Sequence, residues 1–214
     1  MRYFLLLEVC KMANNNSKAR MLTEGAIMVA LATVLSMVKI WDSPYGGSVT
    51  ILSMAPIIVL SLRRGIKVGL FAGLAHAVIQ LLLGLSSVAY VPTPVGIVLC
   101  VLTDYILPFT LLGLGGIFRG VKFTENKTAN AVIAAALGAL LVTVLRYICP
   151  IVSGAVIWYE LDLEWYADDP THIVNQYGAW MFSAIYNGIY MIPEIIATTI
   201  GTPLLTKALS KVNQ

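Results

Sequence analysis

The stretch Val95–Phe118, VGIVLCVLTDYILPFTLLGLGGIF, constrains this chain more than any other. Its 24 residues carry a single charge, Asp104. As a helix it is long enough to cross a hydrocarbon layer of about 30 Å. A carboxylate near the middle of such a helix costs roughly 2.5–3.5 kcal/mol on insertion scales, so it faces a protected interior and takes a partner or a ligand. Two readings of Asp104 stand: a member of a polar binding site, or a structural acid paired with Arg146 or capping a broken helix.

The composition points to a polytopic membrane protein. Of 214 residues, 58% are hydrophobic and 12% charged, against about 25% charged in soluble domains. The cysteines Cys10, Cys100 and Cys149 are scattered without metal spacing and predict small core residues, not a disulfide. No phosphate-binding GxxxxGK[ST] loop, Ser/His/Asp set or HExxH occurs, which speaks against an ATPase or hydrolase.

Hydropathy divides the chain into a tail over 1–20, one six-helix membrane domain over 21–207 and a tail over 208–214. The expected spans are 21–40, 49–62, 68–85, 95–118, 131–158 and 178–205. The run Tyr3–Val9 is too short for a signal peptide and contains Glu8; Met12 is an alternative start. Thr23–Glu24 reads as a helix entry with an acid in its first turn. Trp41–Ser48, with Pro44, Gly46 and Gly47, reads as a loop. Val49–Leu62, carrying Pro56, is a tilted, broken or re-entrant span. Pro150, Ser153 and Gly154 allow a kink in span five, and Asn187–Gly188 with Pro193–Glu194 interrupts span six. The loop Tyr159–Tyr177 is acidic.

Sorting the loops by side places Arg2, Lys11, Lys18, Arg20, Arg63, Arg64, Lys67, Arg119, Lys122, Lys127, Lys207 and Lys211 together, with no Lys or Arg in the opposite loops. Positive residues mark the cytoplasmic face, so both termini are expected there. Four ionisable groups fall in or near spans: Asp104, Arg146, Glu194 and His76. They serve a ligand or pair among themselves, and His76 is a packed residue or a proton relay. Ala26 and Ala30 form a small-xxx-small face for helix approach, whether an internal seam or a docking surface. An acid among aromatics also suits a cationic or heteroaromatic solute. Many of those aromatics (Tyr45, Tyr90, Tyr105, Trp158, Trp165, Trp180) equally suit an interfacial belt.

Five segments carry a resemblance: PYGGSVT (Pro44–Thr50), SMAPIIVLSLRRGIKVGL (Ser53–Leu70), TDYILPF with LGLGGIFRG (Thr103–Gly120), RYICPIVSGAVIW (Arg146–Trp158) and YNGIYMIPE (Tyr186–Glu194). Over roughly Leu22–Leu205 the chain resembles the thiamine-specific substrate-binding (S) components of energy-coupling factor transporters. The resemblance implies six helices in a bacterial cell membrane and a thiamine pocket open to the outside. It also implies an energising module of one membrane subunit and two ATPases, with Ala26 and Ala30 on the face that docks to it. It implies no enzymatic activity, no cofactor beside the transported thiamine, contact with lipid, and no nucleic acid. By the same resemblance Asp104 binds the aminopyrimidine, Tyr105 follows it, Trp158 stacks and Asn187 binds the pyrimidine. Arg146 lies near the hydroxyethyl end, Tyr90 is a loop tyrosine, and Gly46 and Gly47 line the pocket.

Pro150 stands where many members have His, and Phe182 where a Tyr is expected; both remove a donor. The open alternatives are a related pyrimidine or other vitamin, a partner-free proton-coupled carrier using Asp104, His76 or Glu194, and an intramembrane enzyme.

Overall fold

The computed structural model describes residues 2–43 and 46–212, with side chains over 18–43 and 46–208. The expectations for Pro44, Tyr45 and the Cys10 thiol lie outside these. Cys100 and Cys149 are free thiols.

The first helix, α1 (Arg2–Met37), starts far before residue 21. No Gly or Pro interrupts 2–20, and the intervening asparagines each cost a helix no more than about 0.7 kcal/mol. Its membrane-length part is Lys18–Met37. Glu24 is therefore no first-turn acid. It pairs instead with Arg63 (3.0 Å) and with Arg64 of the basic turn.

The expected loop at Trp41–Ser48 and the end of the first expected span are a β-hairpin. Strands β1 (Lys39–Asp42) and β2 (Ser48–Thr50) pair antiparallel, with Asp42 opposite Ser48. The glycines at the turn adopt φ +122° at Gly46 and +87° at Gly47, a region that other residues avoid. Gly47 has a second reason to lack a side chain: a Cβ there would lie 2.3 Å from the Tyr190 ring.

The second expected span is β2, a turn, and the ten-residue α2 (Ala55–Arg64). At about 1.5 Å per residue α2 crosses only half a bilayer. Pro56 sits in its first turn, where no helical hydrogen bond is lost. Ala55 through Ser61 are all buried, so this helix is enclosed by the others and is apolar on every side.

The remaining helices are longer. Helix α3 (Ile66–Leu83) leads into a single turn, α4 (Leu85–Val88). The stretch Pro94–Gly116 is a composite of α5 (Pro94–Cys100), a π-helical turn (Val101–Ile106), α6 (Leu107–Leu111) and a 3₁₀ turn (Leu112–Gly116). Asn126 caps α7 (Lys127–Ser153) by accepting from the Thr128 and Ala129 amides. A second π turn (Gly154–Trp158), where the kink is expected, passes into α8 (Tyr159–Trp165). After a short α9 (Ile173–Gln176), α10 (Ala179–Val212) runs through both Asn187–Gly188 and Pro193–Glu194 without a break. Transmembrane helices tolerate such residues because neighbours re-satisfy the freed backbone groups.

Among the described residues five helical stretches are long and apolar enough to cross a membrane: Lys18–Met37, Ile66–Leu83, Pro94–Gly116, Lys127–Trp165 and Ala179–Ala208. Large apolar side chains face outward along them, Phe71, Leu82 and Ile200 among them. That is the pattern of an all-α protein whose solvent is lipid.

The core gathers around α2, where Ile57, Ile58 and Leu60 meet Leu112 and Val142. The 3₁₀ turn wedges between α2 and α3. Ser61 Oγ donates to the Gly113 carbonyl (2.5 Å) and accepts from the Gly116 amide (3.0 Å). A Cβ at Gly113 would lie 2.3 Å from the Gly69 backbone, so the two segments meet main chain to main chain. Gly113→Ala is expected to destabilise the protein by about 1–3 kcal/mol, the usual overpacking cost, read as a lowered unfolding midpoint in detergent. Gly178→Ala, where a Cβ meets nothing within 4 Å, should change stability by less than about 0.5 kcal/mol.

Candidate binding site

Both π turns face one cavity of about 560 Å³, enclosed by the hairpin, the end of α3, α7 and α10. A π turn inserts an extra residue into the helix and re-aims the side chains around it, and such turns recur at functional sites. Here Val101–Ile106 carries Asp104 and Tyr105, and Gly154–Trp158 carries Trp158.

Asp104 is held by three donors. Its Oδ1 accepts from Ser153 Oγ; its Oδ2 accepts from Trp158 Nε1 at 3.1 Å and Cys100 Sγ at 3.3 Å. The carboxylate thus joins two helical runs. Pairing with Arg146 does not occur: the arginine guanidinium lies 4.5 Å from the Phe109 ring centroid. Ion pairs among the described residues are confined to Lys39–Asp42 and the Glu24 pairs. Arg146 borders the same cavity.

Tyr105 donates its hydroxyl to the Gly84 carbonyl (3.0 Å) and lines the cavity from α3's end. Asn187 donates to the Pro150 carbonyl (3.1 Å) and the Ser183 carbonyl (2.9 Å) and accepts from the Tyr190 hydroxyl (2.5 Å). Gly46 and Gly47 border the cavity from the hairpin, as do Pro150 and Phe182 from α7 and α10. The structure therefore brings Asp104, Tyr105, Arg146, Trp158, Asn187, Gly46 and Gly47 to one place.

Tyr90 is not among them. It is more than half exposed and packs edge-on against Trp165 at 5.7 Å; the short α4 turn carries its loop away from the cavity. Ala26 and Ala30 sit on the exposed side of α1. His76 is a buried core residue, with Nδ1 3.2 Å from Thr33 Oγ1 and its ring edge-on to Phe109. Glu194 is also buried off the cavity, and its Oε1 accepts from both the amide and the hydroxyl of Thr50. It fastens the end of β2 to α10.

Several lining residues were not expected. Tyr190 lies one turn past Asn187, Gln80 ends α3 beside Ser36, and Asp162 lies one turn past Trp158. The i+3 and i+4 spacings to Asn187 and Trp158 were the available signals.

Glu194→Ala should leave the Thr50 amide without a partner, while its hydroxyl keeps Ser53, a penalty of about 1–3 kcal/mol. The expected readout is faster amide exchange at Thr50, with the α7 amides unchanged.

Comparison with known proteins places these residues in context. The profile described as "Thiamine transporter protein (Thia_YuaJ)" matches residues 22–214. A thiamine transporter ThiT of Bacillus subtilis (strain 168) is 32% identical over 197 residues, covering 90% of this chain and 93% of its own length. A thiamine transporter ThiT of Lacticaseibacillus paracasei is 27% identical over 174 residues, covering 77% of this chain and 76% of its own. A solved structure of ThiT from Listeria monocytogenes superposes with a TM-score of 0.68 at 27% identity, covering 91% of this chain and 97% of its own.

Proposed function

The chain belongs to the thiamine transporter protein family, and we propose that it captures thiamine in the cavity beside Asp104 as the S component of an energy-coupling factor uptake system. The family is one of bacterial multi-pass membrane transporters, not of enzymes. Thiamine is cargo in this reading, and no cofactor is required.

The observation that carries the reading is the half-buried Asp104 carboxylate at the wall of a cavity of about 560 Å³, within the usual range for small-molecule sites. Thiamine joins an aminopyrimidine to a positively charged thiazolium. Asp104 offers an acceptor to the amino group, since Oδ1 has one protein donor and a carboxylate oxygen accepts two. Trp158 borders the cavity with an aromatic surface suited to a cationic ring. Asn187, whose NH2 is taken by the Pro150 and Ser183 carbonyls, keeps one acceptor site on Oδ1 beside the Tyr190 bond for the pyrimidine. Arg146 borders the cavity with its guanidinium against Phe109 and is given no contact with thiamine in this reading.

Pro150 and Phe182 supply shape here rather than donors. Their presence favours a site that recognises thiamine through charge and stacking. The proton-coupled alternative draws no support from His76 or Glu194, which are not among the residues lining the cavity and bond to Thr33 and Thr50.

The distribution of Lys and Arg supports cytoplasmic termini and an outward cavity. Six crossings follow if the half-length α2 is counted with the five long stretches. The exposed small-residue face at Ala26 and Ala30 suits docking on the membrane subunit of the ATPase module.

Titration of the purified protein with thiamine, against pyrimidine, riboflavin and biotin competitors, tests the central reading. Asp104→Asn replaces an acceptor oxygen by a donor among three donors, and is expected to weaken thiamine binding at least tenfold, about 1.4 kcal/mol, while the protein remains folded. Unchanged affinity removes Asp104 from the site. Thiamine is also expected to quench tryptophan emission, and Trp158→Ala should abolish most of that signal. Persistence of the quench points to Trp165 or Trp180. Uptake into cells should require the co-expressed ATPases; uptake driven by a pH gradient with this chain alone contradicts the S-component role.

A further inference from the structure

We infer that Asp162 is a second ligand-binding carboxylate of the cavity, a counter-charge that selects for solutes with a fixed positive charge. The inference rests on the thiamine reading above and extends it to a residue that the resemblance does not assign.

Asp162 lies in α8, four residues past Trp158 on an uninterrupted helical run. Its side chain therefore falls on the same face, about 6 Å further along the axis. It is 2% exposed and borders the cavity. Its Oδ1 is buried and accepts no hydrogen bond among the described residues. A buried carboxylate is ordinarily paired, hydrogen-bonded or bound to a cation.

The contrast with Asp104 is informative. That carboxylate has a hydroxyl, an indole and a thiol donating to it. Asp162 has neither donor nor cation. The cavity's two cations are committed elsewhere. Lys39 pairs with Asp42 at 2.8 Å on the hairpin. Arg146 sits 16 residues before Asp162 (162 − 146) on the same run, about 24 Å away along the axis, and its guanidinium rests on Phe109. Among the described residues no protein group neutralises Asp162, so the place is left to the solute.

Thiamine carries such a charge: its thiazolium nitrogen is quaternary and does not titrate. With the aminopyrimidine at Asp104 and Trp158 between the two acids, the thiazolium falls beside Asp162. A neutral solute of the same shape would bury the carboxylate further and give it nothing.

The test compares two ligands on the purified full chain. One is thiamine; the other is a neutral analogue in which a thiophene replaces the thiazolium. The natural protein should prefer thiamine. Asp162→Asn should reduce that preference, the ratio of the two Kd values, at least tenfold, chiefly through weaker thiamine binding. Asp162→Glu, which keeps the charge, should retain it, and Asp162→Ser repeats the measurement should the amide variant fail to purify. An unchanged ratio, equal weakening of both ligands, loss of preference in Asp162→Glu, or no preference in the natural protein each overturns the inference. A natural protein that binds neither ligand overturns the thiamine reading itself.

Discussion

Three donors converge on the Asp104 carboxylate, and the arrangement of the cavity depends on them. An isolated charge at this depth would be expelled or neutralised, since hydrocarbon gives it no solvation. Ser153 and Trp158 come from one helical run and Cys100 from another, so solvating the acid also fixes the two runs against each other. The cavity wall is stiff where it meets ligand because it is already cross-linked by polar bonds in a low-dielectric setting.

The rest of the molecule supplies the frame. Helix α2 is too short to cross a membrane and fills the interior. The Leu112–Gly116 turn closes against it through Ser61 and bare backbone. With α2 spending its whole surface on packing, the cavity is left to the helices around it. The hairpin is fastened at one end by Glu194 through Thr50. Two acids thus have different work: the buried Glu194 holds the architecture and the half-buried Asp104 edges the cavity.

Much of this was legible in the sequence because membrane chains use charge sparingly. Asp104, Arg146, Trp158 and Asn187 stand out as rare side chains in apolar runs, and all four reach the cavity. Local signals failed where the outcome depends on tertiary fit. The π turns have no signature of their own; they arise because Asp104 and Trp158 must be turned toward each other. The hairpin was obscured because Val38 and Ile40 continue the apolar run of α1 into β1. Tyr90 packs on Trp165 rather than on the cavity wall, because the course of a loop, not its composition, decides where a side chain lands. Asp162 was hidden among the acids of a polar loop, and only the continuation of the helix past Trp158 separates it from them.

Asn187 donates to the main-chain carbonyls at positions 150 and 183, beside its side-chain bonds to Ser183 and Tyr190. Every residue type has a carbonyl. Whatever side chain position 150 carries, the carbonyl that holds Asn187 remains, so the cavity wall can change shape there without unseating the asparagine behind it.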